Sequence, residues 1–199
     1  MYIVFDMYGV IIKESKGNFI PYVYERFPGT DKKFLVERFT AAGLGKITGK
    51  EFIESLGFTD NKEVTKDYIK NYLTFDKEFI KFAEKYKSCF KFALLSNDVI
   101  EWSEYITAHY GIDKYFDTKI ISGAAGFRKP DKEIYEILLS NTFCPPSEHI
   151  FIDNSIKNLI AAEKIQMKTI LFNRDNEEYD GDTVYSFDEL DRLIEKKYI

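Results

Sequence analysis

The sequence predicts an α/β fold: a doubly wound parallel sheet with a block of helices inserted after its first strand. Three observations predict it. The chain opens on a short apolar run, Tyr2 to Phe5, β-branched or aromatic at most positions, which reads as a strand buried on both faces. From Phe90 onward strand and helix patterns alternate, as parallel βαβ units with right-handed crossovers require. Between the two, residues 14–88 carry helical patterns and no convincing buried strand. The expected organisation is a core of residues 1–13 and 89–199, with residues 14–88 as a helical cap over the carboxyl edge of the sheet.

In chain order, the first strand stops on Asp6, and Gly9 marks a sharp turn. A short helix, Asn18 to Phe27, is interrupted near Pro21. The next, Asp31 to Thr40, has its N-cap at Thr30 or Asp31 and places Phe34, Leu35 and Phe39 on one face. Thr48 and Glu51 form a capping-box pattern that opens Lys50 to Leu56. Helices follow over Glu63 to Leu73, with Val64, Tyr68 and Tyr72 spaced by four, and over Asp76 to Tyr86, with Phe79, Ile80 and Ala83 inward. A strand over Phe90 to Leu95 ends in Ser96-Asn97-Asp98. A helix then runs from Val99 to Tyr110, with Gly111 suited to the C-cap. Lys119 to Ser122 is a strand. Pro130 is expected at the first position of a helix that reaches Asn141. His149 to Ile152 is a strand ending in Asp153-Asn154-Ser155, and a helix covers Ile156 to Ile165. Lys168 to Phe172 is the last clear strand, and Phe187 to Lys196 the closing helix.

Composition narrows the function. The chain has 199 residues, 45% hydrophobic and 31% charged, with a formal net charge of −5. That is enough apolar material for a core, and it excludes a broad basic surface for nucleic acid. An anionic substrate would have to be held by local donors and a cation. Cys89 and Cys144 are too few for a disulfide framework and fit a reducing cytoplasm. No apolar run of membrane-spanning length and no secretory signal is present, so a cytoplasmic protein without membrane contact is expected. A monomer and a homodimer are equally compatible with the sequence.

Four clusters follow strands, and an open α/β sheet brings such positions to one edge, where it binds ligands. They are Asp6, Ser96-Asn97, Lys129 in the loop before a helix, and Asp153. Taken singly, Ser96-Asn97-Asp98 and Asp153-Asn154-Ser155 read as helix caps and Lys129 as a surface lysine. Together they suit phosphoryl transfer to a carboxylate. That nucleophile is weak and must approach a like charge, which Mg²⁺ offsets by bridging it to a phosphate oxygen. Asp6, Asp153 and the backbone carbonyl of Tyr8 would supply metal oxygens. Lys129 would neutralise the transferring group, and Ser96 and Asn97 would donate to phosphate oxygens. Asn154 and Asn158 would support the loop, Asn158 by holding Asp153.

The runs Phe5-Asp6-Met7-Tyr8-Gly9-Val10, Leu95-Ser96-Asn97, Arg128-Lys129-Pro130-Asp131 and Phe151-Ile152-Asp153-Asn154-Ser155 with Asn158 resemble the four motifs of the haloacid dehalogenase superfamily. The likeness spans the chain, and the helical block falls where that superfamily carries a small helical cap. The segment from Gly45 to Phe52 and the Arg128 to Asp131 run are similar to short bacterial phosphatases of sugar phosphates such as glucose 1-phosphate. The resemblance implies a Rossmann-like core, Mg²⁺ dependence, Asp6 as nucleophile and a small phosphorylated metabolite as substrate. Two positions depart from the superfamily pattern. Tyr8 stands where a second Asp acts as general acid and base, and Asn154 replaces an acid. Tyrosine titrates near 10, far from the neutral range that suits proton transfer. Three outcomes follow from Tyr8. The chain is a phosphatase that works through water or another group, a catalytically impaired phosphate-binding or regulatory protein, or a metal-independent 2-haloacid dehalogenase. The last would need a cap arginine, for which Arg26 and Arg38 are the candidates.

Among the remaining residues, His109 fits a helix C-terminus, His149 a solvated strand start, and Trp102 core packing. Ser15, Lys16 and Gly17 are candidate hinge residues. Phe19, Tyr22, Arg38 and Lys46 are the cap residues expected to contact substrate.

Overall fold

A computed structural model describes all 199 residues. Six parallel strands form one sheet in the order β3-β2-β1-β4-β5-β6: β1 (Tyr2–Phe5), β2 (Lys91–Ser96), β3 (Thr118–Ile121), β4 (His149–Asp153), β5 (Lys168–Phe172) and the two-residue β6 (Thr183–Val184). The short β6 was not expected. The expected α/β class and Rossmann-like parallel topology are both present. β1 lies between β2 and β4, with Phe5 opposite both Leu94 and Ile152. Asp6, Ser96 and Asp153 therefore reach the same edge. No helix is long and apolar enough to cross a membrane.

Alternation along β1 builds two cores. Ile3 and Phe5 face one side, where Phe5 meets Phe79, Phe82 and Phe92 edge-on at centroid distances of 5.3 to 5.9 Å. Tyr2 and Val4 face the other, with Phe151, Tyr135 and Leu159. The first side is covered by α5 (Glu78–Tyr86), α6 (Ile100–His109) and α10 (Phe187–Tyr198). The second is covered by α8 (Lys132–Thr142) and α9 (Ile156–Lys164). A single turn, α7 (Ser122–Ala125), follows β3.

The cap helices are α1 (Phe19–Arg26), α2 (Lys32–Gly43), α3 (Gly49–Ser55) and α4 (Asn61–Tyr72). Asp31 Oδ1 accepts from the Phe34 amide at 2.8 Å, and Thr48 and Glu51 form the expected capping box. Gly111 adopts φ +65° after α6, as its C-cap reading requires. Five details differ from the sequence reading, the first being that α1 runs unbroken through Pro21, which sits in its first turn. α5 lies within 14–88 but packs on the sheet, because Phe79 and Phe82 meet Phe5. Phe34 is 42% exposed: one residue along a helix turns about 100°, so Leu35 alone points fully inward. Pro130 precedes the N-cap, Asp131, and is not in the helix. His149 is buried and not solvated, with its ring nitrogens near Thr142 Oγ1 (2.8 Å) and the Pro145 carbonyl (3.0 Å) and its ring stacked on Tyr2.

Trp102, on the core helix α6, is driven into the cap. Its ring lies 4.7 Å from Phe19, 5.0 Å from Tyr68, and 5.9 Å from Phe39 and Phe52. One aromatic cluster thus joins core and cap. Trp102→Ala is expected to cost about 3–5 kcal/mol, read as a lower urea midpoint, because four cap rings would lose the core side chain they pack on.

Candidate active site

The carboxyl edge of the sheet opens on a cavity of about 440 Å³. Its inner wall includes Asp6, Tyr8, Asn97, Lys129, Asn154 and Asn158, and the cap closes it with Phe19, Phe39 and Tyr68. Asp6 follows directly on β1, and its amide continues the sheet by donating to the Ile152 carbonyl at 2.9 Å. Lys129, only 1% exposed, places Nζ 2.7 Å from Asp6 Oδ1 and 2.7 Å from Asp153 Oδ2. Asn97 fixes the lysine's backbone from both sides: its Oδ1 accepts from the Lys129 amide at 2.7 Å, and its Nδ2 donates to the Lys129 carbonyl at 2.9 Å.

Gly9 turns the chain after Asp6 with φ +82°, and a Cβ there would sit 2.5 Å from the Asn154 side chain. Only glycine fits this turn. Arg174, just past β5, donates to the Gly9 and Val10 carbonyls at 3.1 and 3.0 Å and pairs with Asp76 at 2.6 Å. It ties the turn to the segment that returns from the cap. The sequence reading missed it.

The predicted residues fall into two groups. Asp6, Tyr8, Asn97, Lys129, Asn154 and Asn158 line the cavity. Ser96 Oγ is buried beneath it without a hydrogen-bond partner. Asp153, expected beside a metal, is fully buried behind Lys129 and forms no part of the wall. Its oxygens are already occupied: Oδ1 accepts from the Ser155 amide at 2.7 Å, Oδ2 from Lys129, and the Asn158 amide donates to both at 3.2 and 3.1 Å. The ammonium needs both flanking charges, which turns Asp153 inward and leaves Asn154 at the cavity. Of the four expected cap residues only Phe19 reaches the wall, together with Ser15, Lys16 and Gly17 of the expected hinge. Tyr22 is buried within the cap under the Arg26 guanidinium, and Arg38 bonds to Ser55.

The model of the haloacid dehalogenase-like hydrolases matches residues 1–166. The chain belongs to that family. This haloacid dehalogenase-like hydrolase is 23% identical over 184 residues to a D-ribitol-5-phosphate phosphatase of Bacteroides thetaiotaomicron, covering 84% of this chain and 89% of that one. It is 28% identical over 116 residues to a glyceraldehyde 3-phosphate phosphatase of Methanothermobacter thermautotrophicus, covering 53% and 50%. A HAD family enzyme of Bacteroides thetaiotaomicron, crystallised with magnesium and inorganic phosphate, superposes with a TM-score of 0.75. It shares 21% identity, with 90% of this chain and 96% of that one covered.

The electrostatics of the hydrolase follow from burial. Burial pushes the Asp6 carboxyl up to about 7 against the opposing pull of Lys129, while Asp153 and Asp6 hold the lysine protonated. Tyr8 donates to Asp98 Oδ1 at 3.2 Å, and the Tyr68 hydroxyl donates to the Gly17 carbonyl. Burial and Asp98 hold the Tyr8 phenol well above its usual 10, so it stays neutral. Asp98 is itself pushed from 3.8 to about 7 by burial. The folded chain therefore binds that proton more tightly than the unfolded one. The stabilisation is complete below about pH 4 and is lost as pH rises through about 7. Relative to an Asp98→Asn variant, the wild type is expected to lose about 3 kcal/mol between pH 5 and pH 8, measured by thermal melting at both values.

An oxygen-only donor set remains for a divalent cation. Asp6 Oδ2 takes no hydrogen bond, the Tyr8 carbonyl accepts none from the backbone, and Asn154 presents an amide at the same wall. No three acidic, imidazole or thiol side chains converge. One carboxylate, a carbonyl and an amide still fit Mg²⁺, which keeps several of its own waters.

Proposed function

We propose that this hydrolase is a Mg²⁺-dependent phosphatase of small phosphomonoesters, sugar phosphates among them, working through an aspartyl phosphate on Asp6 in the cytoplasm. The observation that carries the reading is the position of Lys129 Nζ, 2.7 Å from one oxygen of Asp6 while the other oxygen is left free at the cavity. A lysine held there keeps the carboxylate oriented and meets the charge of the incoming phosphoryl group. Asp6 attacks phosphorus, the ester oxygen departs, and water then releases phosphate from the carboxyl. Ser96 lies beneath the cavity with its hydroxyl shut off from it, so the expected donation to a phosphate oxygen does not apply to the structure as it stands, while Asn97 fixes the lysine's backbone. Asp6, the Tyr8 carbonyl and Asn154 would hold Mg²⁺, which supplies Lewis-acid neutralisation of the phosphate. Asp153 acts through Lys129.

The dehalogenase reading lacks its arginine. Arg26 pairs with Asp67 at 2.6 Å and Arg38 with Ser55 at 3.1 Å, and neither lines the cavity. The activities of the two phosphatase relatives add support. The test is phosphate release from a panel of sugar and nucleotide monophosphates with Mg²⁺. Removal of the metal with a chelator is expected to lower the rate by at least about 10²-fold, with recovery on adding Mg²⁺ back. Full activity in the chelator would rule out the metal, and halide release from 2-chloropropionate without metal would rule out the phosphatase.

A further inference from the structure

When Asp6 attacks phosphorus, the bond from phosphorus to the ester oxygen breaks and both electrons stay on that oxygen. An alkoxide is a poor leaving group unless a proton reaches it during the step. The side chains beside Asp6 offer none freely. Asn97, Asn154 and Asn158 are amides. The Lys129 ammonium is committed to Asp6 and Asp153 at 2.7 Å each. The Tyr8 hydroxyl donates to Asp98 at 3.2 Å. Asp98 is fixed in turn by the Val99 amide at 2.8 Å and the Ser103 hydroxyl at 2.6 Å. With three donors on it, from Tyr8, Val99 and Ser103, Asp98 stands as an acceptor toward Tyr8, and a Tyr8 phenolate would have no cation in contact. The other cations of the wall, Lys16, Arg128 and Lys157, are exposed. The other carboxylates of the wall, Asp175 and Glu177, are exposed as well.

We infer that no side chain of this site protonates the leaving group, so that the enzyme favours phosphates whose leaving oxygen is a weak base, such as acyl, enol or aryl phosphates, over esters of ordinary alcohols. The inference rests on the phosphatase reading and narrows it. The step balances without a protein acid. The leaving oxygen departs as an anion and takes a proton from bulk water. Water then attacks the phosphorus of the aspartyl phosphate, and its protons remain on the released phosphate as the Asp6 carboxylate is restored. Sugar phosphates esterified through an ordinary hydroxyl become the slow substrates.

The test is kcat/KM on a series of substituted phenyl phosphates of similar size, with Mg²⁺, alongside glycerol phosphate. This parameter reports the steps through departure of the phenol. A fall of about tenfold for each unit rise in the phenol pKa is expected, with glycerol phosphate slowest. Tyr8→Asp, which supplies a carboxyl, is expected to flatten the dependence and raise turnover of glycerol phosphate by about 10²-fold. A nearly flat dependence in the wild type overturns the inference, since a proton then reaches the leaving oxygen, and leaves the phosphatase reading standing. No release above an Asp6→Asn control from any member overturns both.

Discussion

Replacing Asp6 by asparagine is expected to lower phosphate release by about 10⁴-fold or more, measured with Mg²⁺ on the best substrate found. The amide has no charge to place on phosphorus, and nothing else on the inner wall can replace it. Tyr8 is held neutral and tied to Asp98. Both Asp153 oxygens are occupied and lie behind Lys129. The same change is expected to leave the melting temperature unchanged or higher. Lys129 keeps Asp153 as its counter-ion, and a carboxyl that burial has raised to about 7 is costly to keep ionised. Inorganic phosphate should still bind, by calorimetry, because the variant removes a like charge from the cavity. Loss of activity with loss of folding would leave Asp6 merely structural, and retained turnover would place the nucleophile elsewhere.

Much of this site could be read in the sequence because parallel strands deliver their ends to one edge. Runs bounded by turn residues located β1, β2, β4 and β5, and the residues at or just past their ends, Asp6, Ser96-Asn97 and Asp153, lie at one edge of the sheet, with Asp6 and Asn97 at the cavity and Ser96 and Asp153 buried behind it. Lys129, in the loop before α8, joins them. What strand ends do not reveal is which way each side chain turns. Asp153 and Asn154 are neighbours, yet the first lies behind Lys129, bonded to its ammonium, and the second at the cavity. Asp98 was legible only as part of a capping cluster. Its bond to Tyr8 spans 90 residues and has no local signal. The same holds for Arg174 on the Gly9 and Val10 carbonyls and for Trp102 among the cap rings. The cap boundary failed for a related reason. α5 has the pattern of any amphipathic helix, and only contact with Phe5 assigns it to the sheet.

Lys129→Met is expected to lower turnover by about 10³-fold and to destabilise the fold by about 3–5 kcal/mol at pH 8. The lysine is buried with Nζ 2.7 Å from each carboxylate, so its removal leaves two negative charges in one desolvated place. Such a pair titrates by holding one proton, which raises the shared carboxyl in the folded state above its unfolded value. The stability deficit should therefore shrink as pH falls, and be largest above neutrality where neither carboxyl is protonated. Lys129→Arg keeps the charge but is not expected to restore the rate. A planar guanidinium cannot set one nitrogen between Asp6 and Asp153 in a slot closed to solvent. Urea unfolding at pH 5 and pH 8 separates these cases. A Lys129→Met deficit that is equal at both values would mean that the lysine contributes packing alone, and that Asp6 and Asp153 do not share its charge.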